Sequence, residues 1–323
     1  MNFKVEFLFL DKIFTMLHFH PKVLTLVISF LSAALSIYGQ TPPFETDDLS
    51  TLALKGAVRS VKETSFKAQI TGSDTVRIGK GWEYSWETDT ESLFDTLGHL
   101  IEKKELIGDS WSPTGYFIYE GDKLMETDFF GKHATFLYDK LGQVSSIRLI
   151  TEKLQEAPLT TNFTCFYADR QLVKRVETDK AGIIKGTELF TYDAQKRLTV
   201  YQLKYEDIIE TTSYVYSADG LAKLTWRDNE EGLLEETEYS YTAGQLTKEH
   251  WVNYEEGISQ GFVDYFYENG NEIAVDDIEA DGTVVSQEKS TYSNYDKAGN
   301  WLKRVQVVDG RQVFIVEREI SYY

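Results

Sequence analysis

The chain has 323 residues, with 52 acidic against 33 basic side chains and a net charge of −19. That balance excludes a nucleic-acid partner, because phosphate binding needs a basic stripe, and it disfavours an anionic membrane surface for the same reason. The single cysteine, Cys165, leaves no internal disulfide, and aromatic residues at 14% exceed what an ordinary compact core needs.

The first element in chain order is an apolar run from Val23 to Leu35, preceded by Lys22 and followed by Gly39, Gln40 and the pair Pro42-Pro43. A basic residue, a short apolar stretch and a polar break are the layout of a secretory signal peptide, with cleavage expected after Gly39. Met16 is an alternative start, and an uncleaved anchor is the alternative reading of the run. No cysteine follows the run, so the signal for lipid attachment is missing. The expectation is export to the periplasm, cell surface or medium, with no stable membrane span after cleavage.

Residues 40–90 read as a linker and capping strands. Gly56 to Thr64 alternates apolar and polar side chains, as a half-buried strand does. From residue 91 to 323 a tyrosine-centred unit recurs: aromatic, polar, Tyr, a short Asp/Gly/Asn-rich turn, then an aliphatic residue. From Tyr167 the anchors fall at Tyr192, Tyr216, Tyr241, Tyr267 and Tyr295, steps of 25, 24, 25, 26 and 28 residues. Earlier anchors are Phe94, Tyr119 and Tyr138. Further turn signals fall near the middle of several units, at Gly182, Gly232, Gly257 and Gly282. Two turns in each unit leave two strands, hence one hairpin per unit and about nine units in all. Only five prolines occur, which suits ladders whose N–H groups must all donate.

Four segments carry a more specific pattern: Tyr138-Asp139 with Gly142 and Val144, Tyr295-Asp296 with Gly299 and Trp301, Tyr192-Asp193 with Lys196 and Leu198, and Phe94-Asp95 with Gly98 and Leu100. The series resembles the YD repeats of the RHS family, over roughly residues 94–323. The stretch Tyr267 to Ile273 is similar to the MORN-variant repeats of small bacterial proteins. Both resemblances imply consecutive antiparallel hairpins, and the RHS one implies an extended twisted sheet. The expected fold is therefore all-β: an elongated, largely single-layer antiparallel sheet of consecutive hairpin repeats.

Chemistry is sparse. His99, His133 and His250 lie in different units without metal-ligand spacing, and neither a phosphate-binding glycine loop nor a Gly-x-Ser-x-Gly elbow is present. Cys165 reads as a small packed residue. Trp226 and Trp251 each follow their anchors, Tyr216 and Tyr241, by ten residues, so equivalent positions in neighbouring units hold the same ring. These four residues read first as a packing ladder and second as a platform for a protein or glycan. Acidic groups at Glu230-Glu231, Glu235 to Glu238 and Asp276-Asp277 offer a carboxylate pair for a secreted carbohydrate hydrolase. Asp277, Glu279, Asp281 and Glu288 follow the spacing of a calcium loop, with Gly282 at the turn, although an ordinary Asp-Gly hairpin explains the same residues. The functional expectation is an exported, non-enzymatic binding or scaffold surface that needs no cofactor. A carbohydrate hydrolase and a calcium-dependent adhesion module are the alternatives.

Overall fold

The structure, a computed structural model, describes residues 49, 52–72, 74–80, 89–107, 110–152, 157–254 and 258–323. The signal segment and its cleavage point lie outside them. Among the described residues there are twenty-one strands and no helix. The chain opens with β1 (Val58–Thr71), which turns into β2 (Asp74–Lys80). Nine hairpins follow: β3 (Thr90–Phe94) with β4 (Leu100–Ile107), β5 (Ser110–Glu120) with β6 (Lys123–Phe129), and β7 (Lys132–Tyr138) with β8 (Val144–Thr151). Next come β9 (Leu159–Ala168) with β10 (Gln171–Asp179), β11 (Ile184–Tyr192) with β12 (Leu198–Tyr205), and β13 (Ile208–Tyr216) with β14 (Leu221–Asp228). The last three are β15 (Leu233–Thr242) with β16 (Gln245–Asn253), β17 (Ser259–Glu268) with β18 (Asn271–Glu279), and β19 (Val284–Tyr295) with β20 (Trp301–Val308). A final strand, β21 (Gln312–Tyr322), ends the chain.

The Tyr-Asp corner is built the same way in successive hairpins. Asp95, Asp139, Asp193 and Asp296 each turn one carboxylate oxygen back onto the backbone N–H groups two and four residues ahead, at 2.8 to 3.0 Å. Such an Asx turn is why aspartate follows the tyrosine. Three residues on, the chain needs a left-handed backbone, which Gly98, Gly142 and Gly299 supply at φ of 90°, 79° and 86°. Lys196 takes that place in the Asp193 turn at φ of 66°.

Just before the anchor the ladder slips by one residue, between Leu93 and Phe94, Ile118 and Tyr119, Leu137 and Tyr138, and Thr191 and Tyr192. The same shift recurs before Tyr216, Tyr241 and Tyr267. A bulge bends its strand and sharpens the local twist. Three of the anchors then reach back to the preceding hairpin. The Tyr138, Tyr167 and Tyr192 hydroxyls donate to the carbonyls of Leu124, Val144 and Leu172 at 2.7, 2.9 and 2.8 Å. Leu124, Val144 and Leu172 are themselves buried.

The expectation of an elongated open sheet is overturned. Every strand from β3 to β21 pairs antiparallel with the next, and β1 closes the circuit by pairing with β21 from Val58 to Ala68 and with β3 from Ser60 to Glu63. The result is a closed ring of twenty strands, with β2 continuing beside the far half of β1. The physical reason lies in the repeated bulge, which bends and twists eight of the nine hairpins and so curves the wall toward closure. The closing strand, β1, lies within the stretch read as linker and capping strands. Val58 stands opposite Tyr322, so the two ends of the chain join in one ladder. Lys55 adds a clasp: its N–H donates to Asn300 Oδ1 and its carbonyl accepts from Asn300 Nδ2.

Opposed residues in an antiparallel ladder share a face, so the register sorts the wall into two sides. One side carries Phe94, Phe117, Phe136, Ile147 and Phe163, all buried, and continues through Phe190 and Val263. This is the inner wall. The outer wall carries Lys104, Lys223, Glu236, Lys248 and Asp264, joined in cross-strand ion pairs such as Lys223–Glu236 at 2.6 Å and Lys248–Asp264 at 3.4 Å.

Lys196 is the one position of this turn series that holds a side chain in the left-handed region, at a cost of roughly 1 kcal/mol. Lys196→Gly is expected to raise the unfolding free energy by about 0.5 kcal/mol after its extra unfolded-state entropy is counted, whereas Gly142→Ala lowers it by about 1 kcal/mol. Paired urea titrations read both signs.

Candidate functional site

The inner wall from β9 to β20 differs from the apolar stretch between β1 and β9. Here tyrosines, two tryptophans and carboxylates alternate at matched ladder positions. Trp226 on β14 stands opposite Thr212 and Glu235, and Trp251 on β16 stands opposite Thr237 and Gly261. Tyr216 and Tyr241 lie on the same face at the turn end of their hairpins, opposite Leu221 and Leu246. The structure therefore places all four aromatic candidates on one inner surface. Each is half-buried. The Tyr241 ring lies against Gly220, where an added Cβ would come within 3.1 Å of it. The Arg197 guanidinium covers the Tyr216 ring at 4.6 Å. Trp251 packs over Gly261, whose absent Cβ would sit 2.8 Å from the indole. Glycine at that point lets the ring lie flat along the neighbouring strand, so packing accounts for one edge of Trp251.

Carboxylates share this wall. Arg175 holds Glu188 through two hydrogen bonds of 2.6 Å, and the Tyr201 hydroxyl donates to Glu188 at 3.1 Å. Burial raises the Tyr201 phenol well above its ordinary range, and the Glu188 charge adds to the shift. Farther round, Glu235, Glu249 and Asp277 are all buried. Thr237 donates to Glu235 at 3.0 Å and Tyr265 donates to Glu249 at 3.2 Å. Glu249 is only 1% exposed. Burial pushes its carboxyl up to about 7; the Tyr265 bond opposes this, and the charges of Glu235 and Asp277 reinforce it. Sequence reading singled out Glu235 and Asp277 within acidic clusters and missed Glu249. The available signal was its place in the alternation, two residues before Trp251 on the same strand face.

The calcium-loop residues fall on the hairpin of β18 and β19. Asp277 stands opposite Ser286 and Glu288 opposite Val275, both facing inward, while the exposed Asp281 accepts from the Thr283 N–H at 2.8 Å at the turn. Glu279 ends β18 and is exposed. Glu288 accepts from Gln306 at 2.8 Å. Both flanks are strands. Among the described residues no three His, Cys, Asp or Glu side chains group closely enough to hold a metal ion, so the four are not brought into one ligand set. Cys165 faces Arg175 on this wall, and burial pushes its thiol up, away from the reactive thiolate. His99 stacks on Tyr119 at 4.5 Å and hydrogen-bonds Asp95, and His250 stacks on Phe262 at 4.6 Å.

No family model matches this sequence, and no curated protein matches it. Solved structures similar to it include the complex titled TcdB2-TccC3-TEV, at 14% identity and a TM-score of 0.34, covering 75% of this chain and 15% of that one. A Photorhabdus luminescens Tc holotoxin pore gives 14% identity and a TM-score of 0.33, with 73% of this chain against 14% of that chain. A porin-like protein from Bacteroides uniformis gives 11% identity and a TM-score of 0.33, with 83% of this chain and 98% of that one. This chain thus spans about a seventh of the Tc proteins, and likeness at these scores defines neither its family nor its role. The hairpin array implied by the RHS resemblance is present, in closed rather than extended form.

Glu249 yields a pH dependence whose sign follows from its raised carboxyl. The folded state holds this proton more tightly than the unfolded chain does, so its contribution is fully present below about pH 4.5 and falls as pH rises toward 7. At pH 8 the cost is on the order of 2–3 kcal/mol. Glu249→Gln is expected to melt higher than the native chain at pH 8 and close to it at pH 4.5. Calorimetry at the two pH values reads the difference.

Proposed function

We propose that this chain is an exported, non-enzymatic β-barrel that works in water and binds a protein or glycan through the tyrosine and tryptophan side of its inner wall. The sidedness of the sheet carries the reading. A barrel that spans a bilayer turns an apolar band of about 25 Å outward, with aromatic girdles at its edges. Here the outer wall is crossed by ion pairs, including Lys104–Glu91 at 3.6 Å and Lys62–Glu319 at 3.9 Å besides those on β14 to β17. Apolar residues do point outward beside several anchors, at Ile118, Leu137, Phe166 and Val215. Their cross-strand neighbours are Glu126, Ser146, Lys174 and Lys223, which interrupt the apolar surface at these positions among the described residues.

Export rests on the basic-apolar-polar order of residues 22–43. Binding rests on the inner wall, where half-buried Trp226 and Trp251 are flanked by Thr, Glu and Asn at ladder positions. Aromatic faces beside hydrogen-bonding groups suit polar ligands that also carry apolar surface. The hydrolase reading has one observation in its favour, the Glu249 carboxyl held near neutrality as a general acid requires. Its 1% exposure argues against it, because a general acid has to reach the glycosidic oxygen.

The mature chain is expected to purify without detergent as a monodisperse species and to stay at the bottom of a flotation gradient with phosphatidylethanolamine and phosphatidylglycerol vesicles. Extraction that requires detergent, or flotation with vesicles, overturns the water-facing assignment. Incubation with a polysaccharide panel is expected to release no reducing ends. Trp226→Ala and Trp251→Ala are expected to abolish ligand capture while the far-ultraviolet spectrum is unchanged.

A further inference from the structure

We propose that the ligand of the inner wall is a linear, non-acidic polysaccharide that lies across the strands from β12 to β17 and stacks on Trp226 and Trp251 in turn. This rests on the inner-wall binding proposed above and names its substrate class. The register lays out the track. Tyr201 stands opposite Thr212, Thr212 opposite Trp226, Trp226 opposite Glu235, Glu235 opposite Asn253, and Asn253 opposite Ser259. These six residues form one inward row at right angles to the strands. At about 4.8 Å per strand the row is roughly 24 Å long. Trp251 sits in the next row toward the tyrosine anchors, between Thr237 and Gly261.

The separation of the two indoles sets the length of the ligand. Trp226 and Trp251 are two strands and one row apart, which places their backbones about 12 Å from each other. A single sugar ring cannot touch both, whereas a chain of them can. Each indole is half-buried and so keeps part of its surface open to the interior. Trp251 lies over Gly261, where a Cβ would come within 2.8 Å of the indole, so the ring rests flat on the neighbouring strand. A ring that lies flat turns its free face inward, and the C–H face of a sugar stacks on such a face. Thr212, Asn253 and Ser259 add hydroxyl and amide groups along the row, each able to donate and to accept.

Backbone pairing and charge narrow the class further. An extended peptide is commonly captured by pairing with a free sheet edge, but β12 to β19 each pair with a neighbour on both sides. Recognition on this wall is left to side chains. At their inward ladder positions these strands carry Glu210, Asp228, Glu235, Glu249, Asp277 and Glu288 and neither lysine nor arginine. Glu210 and Asp228 stand directly opposite each other. Lys204, Lys223, Lys248 and Lys289 all fall at outward positions. A chain of uronic acids or sulfated sugars therefore meets like charge along the whole track, and a chain without acidic groups does not.

Isothermal titration calorimetry on the full mature chain tests this with maltohexaose, cellohexaose, xylohexaose and mannohexaose, the matching disaccharides, and hexagalacturonate. At least one neutral hexaose is expected to bind about tenfold or more tighter than its disaccharide, and about tenfold or more tighter than hexagalacturonate. Trp226→Ala and Trp251→Ala are each expected to weaken that hexaose about tenfold or more. The length and charge comparisons use the native chain, so they decide the matter even where a tryptophan variant fails to fold. Absence of binding by every neutral hexaose overturns the proposal, as does a disaccharide or hexagalacturonate that binds as tightly as the hexaose. In those cases a Trp226-dependent ligand of another kind leaves the inner-wall reading standing. Hexaose binding unchanged in both folded variants overturns the inner-wall reading, and this proposal with it.

Discussion

The structure depends on the strand that joins its ends. Without β1, strands β3 and β21 would each present a full row of unpaired N–H and C=O groups, an open template for other chains. β1 supplies a partner to both and fills the place that a tenth hairpin would occupy. Joining Val58 to Tyr322 closes a loop of more than 260 residues. For a flexible chain that costs roughly 5 kcal/mol, an upper bound because each bulged hairpin has already curved the wall toward closure. The bond is therefore held by many weak terms in series, and the tyrosine corners set its geometry long before the ends touch.

This explains which parts of the architecture were legible in the sequence. Hairpin content was open to reading because its determinants are local. Asp139 and Gly142 lie within four residues of Tyr138, and their turn forms from their own backbone. The anchors, the unit length and the midpoint turns at Gly182, Gly232 and Gly282 followed from such signals, while Gly257 lies outside the described residues. Closure is not local. Nothing between Gly56 and Thr64 distinguishes a strand that shields an edge from one that bridges two edges, because both alternate polar and apolar residues. The bulges that impose curvature are equally silent, since one extra residue on the strand opposite the anchor, such as Ile101 between Leu100 and Glu102, leaves no compositional mark.

The candidate site divides along the same line. Ten-residue spacing from anchor to tryptophan put Trp226 and Trp251 at equivalent positions, and the shared face follows from the period of two along a strand. Glu249 escaped because a carboxylate between His250 and Lys248 reads as one more solvated charge. Its environment is set by β15, β17 and β18, whose Glu235, Tyr265 and Asp277 come from three other strands.

The two faces of the wall also constrain what the chain does with its charge. On the outer wall, acidic side chains are matched by lysines in ion pairs such as Lys223–Glu236 and Lys248–Asp264. On the inner wall the buried carboxyls of Glu235 and Asp277 stand near Glu249 and favour its protonated form. Burial penalises the charged form of a carboxyl, and two neighbouring carboxylates penalise it further, so Glu249 near neutral pH is poised between states. The tyrosines around it, held protonated by burial, stay hydrogen-bond donors.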